Sequence, residues 1–153
     1  MKNSHAKRDL AFLAAVLLAV TVYYLFSAQG SPAVSFSAEN KAVGFTGAKN
    51  TAVVFDLNTV TDIRLVDTPA DAAAVDGGEL PLGGVCWGTW RSESLGAYQA
   101  YFSTRIGVCV LVTDGEKTAL FNTENAELTG NFCEQLRSFW LETQSTDKEG
   151  NPS

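Results

Sequence analysis

The sequence predicts a mainly β domain with one C-terminal α-helix, an α+β class, standing behind a single membrane-spanning helix. Three observations predict it. An uncharged apolar block fills residues 10–26. From Val34 to Phe121 apolar residues recur with a period of two, in short runs separated by Gly, Pro, Asn and Asp, which is the pattern of half-buried strands and tight turns. After Phe121 the period changes, and Leu128, Phe132, Leu136, Phe139 and Trp140 fall on one helical face. A helix with such a face is not stable alone and must lie on the sheet before it.

Residues 1–9 form a polar flank with Lys2, Lys7 and Arg8 against Asp9. The block that follows reads LAFLAAVLLAVTVYYLF. As a helix it is about 25 Å long, at about 1.5 Å per residue, and Ser27 and Ala28 bring it close to the thickness of a hydrocarbon core. Tyr23 and Tyr24 stand near one end, where aromatic rings favour the headgroup layer. We therefore expect residues 10–28 to be an uncleaved signal anchor. The alternative is a cleaved signal peptide and a secreted domain. Its apolar region would be shorter, about 7–15 residues, and Ala28-Gln29-Gly30 is a poor cleavage site. The positive charges precede the block, and only Lys41 and Lys49 follow within reach. The positive-inside rule then leaves the N-terminus cytoplasmic and places the C-terminal domain outside a bacterial-type cell, at the envelope.

Residues 29–33, QGSPA, read as a linker. Val34, Phe36 and Ala38 mark a first strand, Val43 and Phe45 a second after the Glu39-Asn40 turn, and residues 52–55 a third. Asp56-Leu57-Asn58 breaks the run, and 60–66 resumes it with Ile63 and Leu65 in phase. Strands this closely spaced suggest a meander rather than βαβ units. Residues 67–81 are rich in Ala, Asp, Gly and Pro and predict a loop, with one helical turn at 70–74. A strand over 85–91 is interrupted by Gly88, which suggests a bulge or a sharp bend. Residues 92–95 are a turn. The stretch 96–140 organises the rest. Tyr98, Ala100 and Phe102 alternate with more polar neighbours, and Ile106, Val108, Val110 and Val112 predict a half-buried strand. Asp114-Gly115 closes a hairpin, and residues 119–121 carry the return strand ahead of the helix. The folded domain is expected over 34–143, with a disordered polar tail over 144–153.

Charge and side-chain chemistry exclude several functions. The chain has 153 residues and a net charge of −6. Without its basic flank, the rest carries eight basic and sixteen acidic residues. The basic residues are scattered singly, so phosphate backbones and anionic lipid are repelled, and we expect no nucleic-acid partner. The sole histidine, His5, lies in the flank. Cys86, Cys109 and Cys133 have no C-x-x-C spacing. They read as small buried hydrophobes, and an oxidising compartment would allow at most one internal disulfide among them. Asp62, or Glu124 with Glu127, are candidate acids, but each reads better as an outward strand position or as charge favouring a helix N-terminus. There is no P-loop, nucleophile elbow or dinucleotide fingerprint. No catalytic, metal or cofactor site is expected, and the protein is not expected to be an enzyme.

Three short motifs carry a resemblance. Thr61-Asp62-Ile63-Arg64-Leu65 looks like the D-I-x-x-V/L strand of bacterial pleckstrin-homology domain families. Gly83, Gly84, Gly88-Thr89-Trp90 and Gly96 resemble their G…G-x-F…G run before a Tyr-bearing strand, here with Tyr98 and Tyr101. Phe121-Asn122, with Glu127 and Thr129, is similar to their F-N…E-x-T…L-Y entry into the last helix. Trp90 replaces a common Phe and Phe132 a common Tyr; a single membrane helix is the larger departure where relatives carry two. Over residues 34–141 the resemblance implies a small barrel of about seven antiparallel strands capped by the C-terminal helix. It also implies a binding module. The lipid-binding use of some such domains needs a basic pocket, and residues 38–52 offer only Lys41 and Lys49. A protein or peptide partner is therefore the leading expectation. The alternatives are a self-assembling envelope component, with the stripe Ala11, Ala14, Ala15 and Ala19 allowing close helix approach, and a lipid sensor. The candidate recognition patch is Trp87, Trp90 and Arg91, beside Tyr98 and Tyr101; the competing reading divides these aromatics between core and surface by alternation.

The topology is directly testable. A membrane-impermeant protease applied to intact protoplasts is expected to digest the C-terminal domain. Protection until lysis would reverse the assigned side.

Overall fold

The alternating runs at the front of the domain pair with their chain neighbours. β1 (Ala33–Ser37), β2 (Ala42–Thr46) and β3 (Ala52–Asp56) form an antiparallel three-stranded sheet in the order β1-β2-β3. Val34 lies opposite Phe45, and Phe45 opposite Val53, so one face is uniformly apolar. The structure, a computed structural model, describes residues 33–47, 52–76, 78 and 84–149, without the side chains of 146–149. The expected flank 1–9, the membrane span 10–28 and nearly all of the linker lie outside the described residues. Among the described residues no helix is long and apolar enough to cross a membrane.

The remaining strands are β4 (Asp62–Asp67), β5 (Ala73–Ala74), β6 (Val85–Ser92), β7 (Gly96–Ser103), β8 (Val108–Thr113) and β9 (Thr118–Phe121). They form one sheet in the order β4-β8-β9-β7-β6-β5. β6 and β7 pair as a hairpin, as do β8 and β9, but β9 runs parallel to β7. The link 104–107 leaves β7 and β8 one strand apart. The 114–117 turn folds β9 back into that slot. Asp114 makes this turn: its Oδ1 accepts the N–H groups of Glu116 at 3.1 Å and Lys117 at 2.9 Å, while Gly115 takes φ +93°, open mainly to glycine.

β9 is short, and a side chain finishes what its backbone leaves undone. Asn122 is 3% exposed. Its Oδ1 accepts the Ser103 N–H at 2.8 Å, and its Nδ2 donates to the carbonyls of Ser103 at 3.0 Å and Val108 at 3.3 Å. A primary amide has the donors and acceptor of a peptide group, so Asn122 joins β7 to β8 where the strand between them has ended.

The large sheet is covered on both faces. On one, Ile63, Trp87, Tyr101, Val110, Val112 and Phe121 meet Val43, Phe45, Phe55 and Leu57 of the small sheet's segment and Cys133 and Leu136 of the helix. On the other, Cys86, Trp90, Tyr98, Phe102, Cys109, Leu111 and Leu120 form a second core, with Ala72 and Leu95 packed against it. Asp71 Oδ2 accepts the Glu93 N–H at 2.7 Å, tying the segment after β4 to the β6–β7 turn.

The helix α1 (Ala126–Glu149) is placed by its cap. Asn125 Oδ1 accepts the Leu128 N–H at 2.8 Å, an N-cap bond. Thr129 Oγ1 donates to the Asn125 carbonyl at 2.7 Å and accepts the Thr123 N–H at 3.1 Å. Near the other end, Gln144 Nε2 donates to the Leu57 carbonyl at 3.2 Å. The outer edge of the core is pinned by Lys117, whose Nζ donates to the Val54 carbonyl at 2.7 Å and lies 5.0 Å from the Phe55 ring centroid.

Several expectations need correction. The protein is mainly β with one C-terminal helix, but its sheets do not close into a barrel. There are nine strands among the described residues rather than about seven, and one pair is parallel. Residues 73–74 form a strand against β6 rather than part of a helical turn. β8 is buried on both faces, not half-buried; its run Val-Cys-Val-Leu-Val is apolar at every position, the signature of a strand covered twice. Gly88 takes φ +75°, but the β6–β7 register passes through it with no extra residue, so the strand has no bulge there. Leu128 is 45% exposed, because Thr129, one position on, is held inward by its bonds to residues 123 and 125. The helix continues to Glu149, past the boundary expected at 143.

Leu136 is 3% exposed in the shared core. Leu136→Asp loses the packing of a buried leucine, about 2–5 kcal/mol, and buries a carboxylate without a partner. Against the about 5–15 kcal/mol of a typical domain, the expected result is loss of the cooperative circular dichroism melt. An unchanged melt would show that α1 does not cover the sheet.

Candidate interaction surface

The tryptophans of the candidate patch are core residues. Trp87 and Trp90 are each 4% exposed. Three residues apart on β6, they point to opposite faces: Trp87 joins the helix-side core and Trp90 the second core. Trp90 Nε1 donates to the Trp87 carbonyl at 2.7 Å. The structure therefore does not bring them together as a patch; Arg91 alone of the three is exposed, opposite Ala73. Tyr98 and Tyr101 are buried as well. The signal for this was the spacing itself, since positions three apart on a strand cannot share a face.

The thiols are interior groups. All three cysteines are free and buried, so the internal disulfide allowed by the count is not formed. Burial pushes Cys86 up to about 12, with the Cys109 thiolate as a lesser cause. Burial pushes Cys109 up to about 11, against hydrogen bonds from Thr68 and Asn122 that lower it. Cys133 is raised by burial too, with Arg137 opposing. A thiol that holds its proton is a poor nucleophile and a poor metal ligand. The proposed acid Asp62 is paired with Arg64 Nε at 3.0 Å on the surface, and Glu124 and Glu127 are exposed at the helix start. No three His, Cys, Asp or Glu side chains among the described residues are grouped as metal ligands would be. His5 lies outside the described residues.

What the surface does offer lies between β1 and α1. Phe36 is 46% exposed although it is a large apolar side chain on a strand. Its ring stands edge-on to Phe139, with centroids 4.4 Å apart. Phe36, Phe132, Gln135, Leu136 and Phe139 line a mostly apolar groove of about 230 Å³. Among the described residues β1 has one strand neighbour, β2, so its other edge carries backbone groups without a ladder partner. A second concavity continues from the groove along α1, sharing Gln135 and Phe139 and adding Asn131, Glu134, Ser138 and Glu142. Sequence reasoning had Phe132, Leu136 and Phe139 on the packing face of the helix. It missed that Phe36 meets them from β1, a contact across about a hundred residues that no local period reports.

No family model, no curated protein and no solved structure matches this chain.

The raised thiols give a pH dependence with a definite sign. An unfolded cysteine loses its proton near pH 8.5 and an unfolded tyrosine near pH 10. Folded Cys109 holds its proton to about 11, and folded Cys86 and Tyr98 to about 12. Between those limits the unfolded chain binds fewer protons than the native one, so stability falls as pH rises. The melting temperature is expected to fall steadily above about pH 9. In Cys86→Ala the slope should lose about one proton's worth of dependence. Equal slopes in the two proteins would contradict the burial of Cys86.

Proposed function

We propose that the chain is a membrane-anchored, non-catalytic interaction module of the cell envelope, and that its folded domain holds a protein or peptide partner. The observation that carries this reading is the apolar groove between β1 and α1, with Phe36 half exposed at its mouth. A large aromatic left in water beside a concave apolar surface is an anchor site in protein recognition. The edge of β1 that has no ladder partner among the described residues adds main-chain donors and acceptors for an extended partner. Likeness to pleckstrin-homology-like domains belongs to the same reading at the level of element order, short strands followed by one terminal helix. The anchor over residues 10–28 and the placement of the domain outside the cell are part of the proposal, supported by the apolar block and the basic flank before it. The absence of catalysis is supported by the protonated, inaccessible thiols. Self-assembly is the competing function, favoured by the same edge of β1.

Site-specific photocrosslinking in living cells separates these. A benzophenone side chain in place of Phe36 is expected to capture one distinct protein. The same group in place of Val54, exposed on β3, is expected to capture none. An adduct of twice the chain's own mass would replace the proposal with self-assembly, and an adduct to lipid alone would replace it with lipid sensing.

A further inference from the structure

Resting on the reading of the β1–α1 groove as a docking site, we propose that its occupant is an extended cationic segment of another protein. In that segment a lysine or arginine stands near a large apolar side chain.

The groove fixes the apolar part. Phe36, Phe132, Leu136 and Phe139 present carbon to whatever enters, and only an apolar side chain gains from leaving water there. The continuation along α1 fixes the charge. Among the described residues it is lined by Glu134 and Glu142 and by no basic residue; Arg137, three positions from Glu134, does not line it. Glu142 is engaged elsewhere in the chain as well, so Glu134 carries the discrimination. Glu134 is exposed, and its field adds to that of a domain with twice as many acidic as basic residues.

Position then narrows the pattern. Glu134 and Phe139 both line the continuation, but five positions turn an α-helix through about 140°, so they stand at opposite margins of the stripe. A segment crossing the stripe between them, with its apolar residue against Phe139, presents a nearby basic side chain to Glu134. A second copy of this chain is disfavoured as occupant, because it brings the same two carboxylates to the contact. Nucleic acid and anionic lipid are repelled for the same reason.

The division of labour follows. An exposed ion pair contributes little affinity, about 0.2–1 kcal/mol, but it selects the sign of the partner and speeds encounter. Affinity comes from the apolar anchor.

The test uses the full chain in nanodiscs of zwitterionic lipid. The probe is a fluorescent peptide alternating lysine and valine about a central phenylalanine, and its counterpart carries glutamate for lysine. By anisotropy the lysine peptide is expected to bind and the glutamate peptide not to. Glu134→Gln should weaken binding about threefold to fivefold. Glu116→Gln, exposed in the β8–β9 turn, should leave it unchanged, and Phe36→Ala should weaken it about tenfold or more. Equal losses in Glu134→Gln and Glu116→Gln would reveal unspecific attraction to an acidic protein and overturn the proposal. Equal binding of the two peptides, or none of either, would overturn it too. A cellular partner captured at position 36 and captured equally well in Glu134→Gln would overturn the charge inference while leaving the docking site standing.

Discussion

Phe45 is the contact on which the assembly of this domain depends. It is fully buried on the central strand of the small sheet. Its ring centroid is 6.0 Å from Phe55 in its own sheet, and 6.2 Å from Tyr101 and 5.6 Å from Phe121 in the large one. Phe121 in turn lies 5.5 Å from Phe132 on α1. One side chain therefore begins a ring-to-ring path through both sheets and the helix. Each such pair adds about 0.5–1.5 kcal/mol beyond the area buried, and truncating a core phenylalanine costs about 3–5 kcal/mol. A typical domain has only about 5–15 kcal/mol to lose. The small sheet is held further by Val43 and Phe55 in the same core, by the Phe36–Phe139 ring contact, and by the bonds from Lys117 to the Val54 carbonyl and from Gln144 to the Leu57 carbonyl after β3.

The large sheet poses a second constraint, met at Asn122. Placing β9 between β7 and β8 splits two strands that follow each other in sequence, and β9 ends before they do. Without a filler, backbone groups at the mouth of the slot would be buried without partners, each costing about 1–3 kcal/mol. The Asn122 amide supplies both donor and acceptor there, and Thr68 completes the corner by donating to the Ile106 carbonyl while its N–H bonds the Gly107 carbonyl. Aspartate in place of Asn122 would keep the acceptor and lose the donor, so the chemistry of this position is set by the fold rather than by any ligand. The Phe-Asn pair in the sequence thus has a structural reading of its own.

Local signals in the sequence were sufficient for much of the local structure, though not at 73–74. The runs at 34–38, 43–45 and 52–55 became β1, β2 and β3, and Asp114-Gly115 became the β8–β9 turn, because a period of two and a turn dipeptide act over a few residues. Relationships between distant strands were not legible. Nothing in residues 118–121 says that they pair in parallel with residues 99–101. The rotation of α1 was misjudged at Leu128 because hydrophobicity ranks leucine above threonine, whereas the hydroxyl of Thr129 has three partners at residues 123 and 125 and turns inward to keep them. The tryptophan patch failed for a reason the sequence did contain: odd spacing on a strand divides a pair between two faces, and here both faces are core. The groove was half legible, its helix side from the 3.6 period and its β1 side not at all.

Burial of both faces of the large sheet determines where function can reside. Its aromatics and thiols are used up in packing, and a side chain that excludes water from a core is not available to a partner. What remains at the surface is the rim: strand edges, turns and the outer stripe of α1. Most of that rim is polar and carries single charges of both signs, as at Asp62 with Arg64, which water screens and which give little preference for any partner. The β1–α1 junction differs on two independent counts. Apolar surface stays exposed at Phe36, where the edge of the small sheet runs out beside the helix, and the charged groups next to it among the described residues are of one sign. The first property supplies a reason to bind and the second a reason to bind selectively. Their coincidence at one place singles out this junction among the described surfaces.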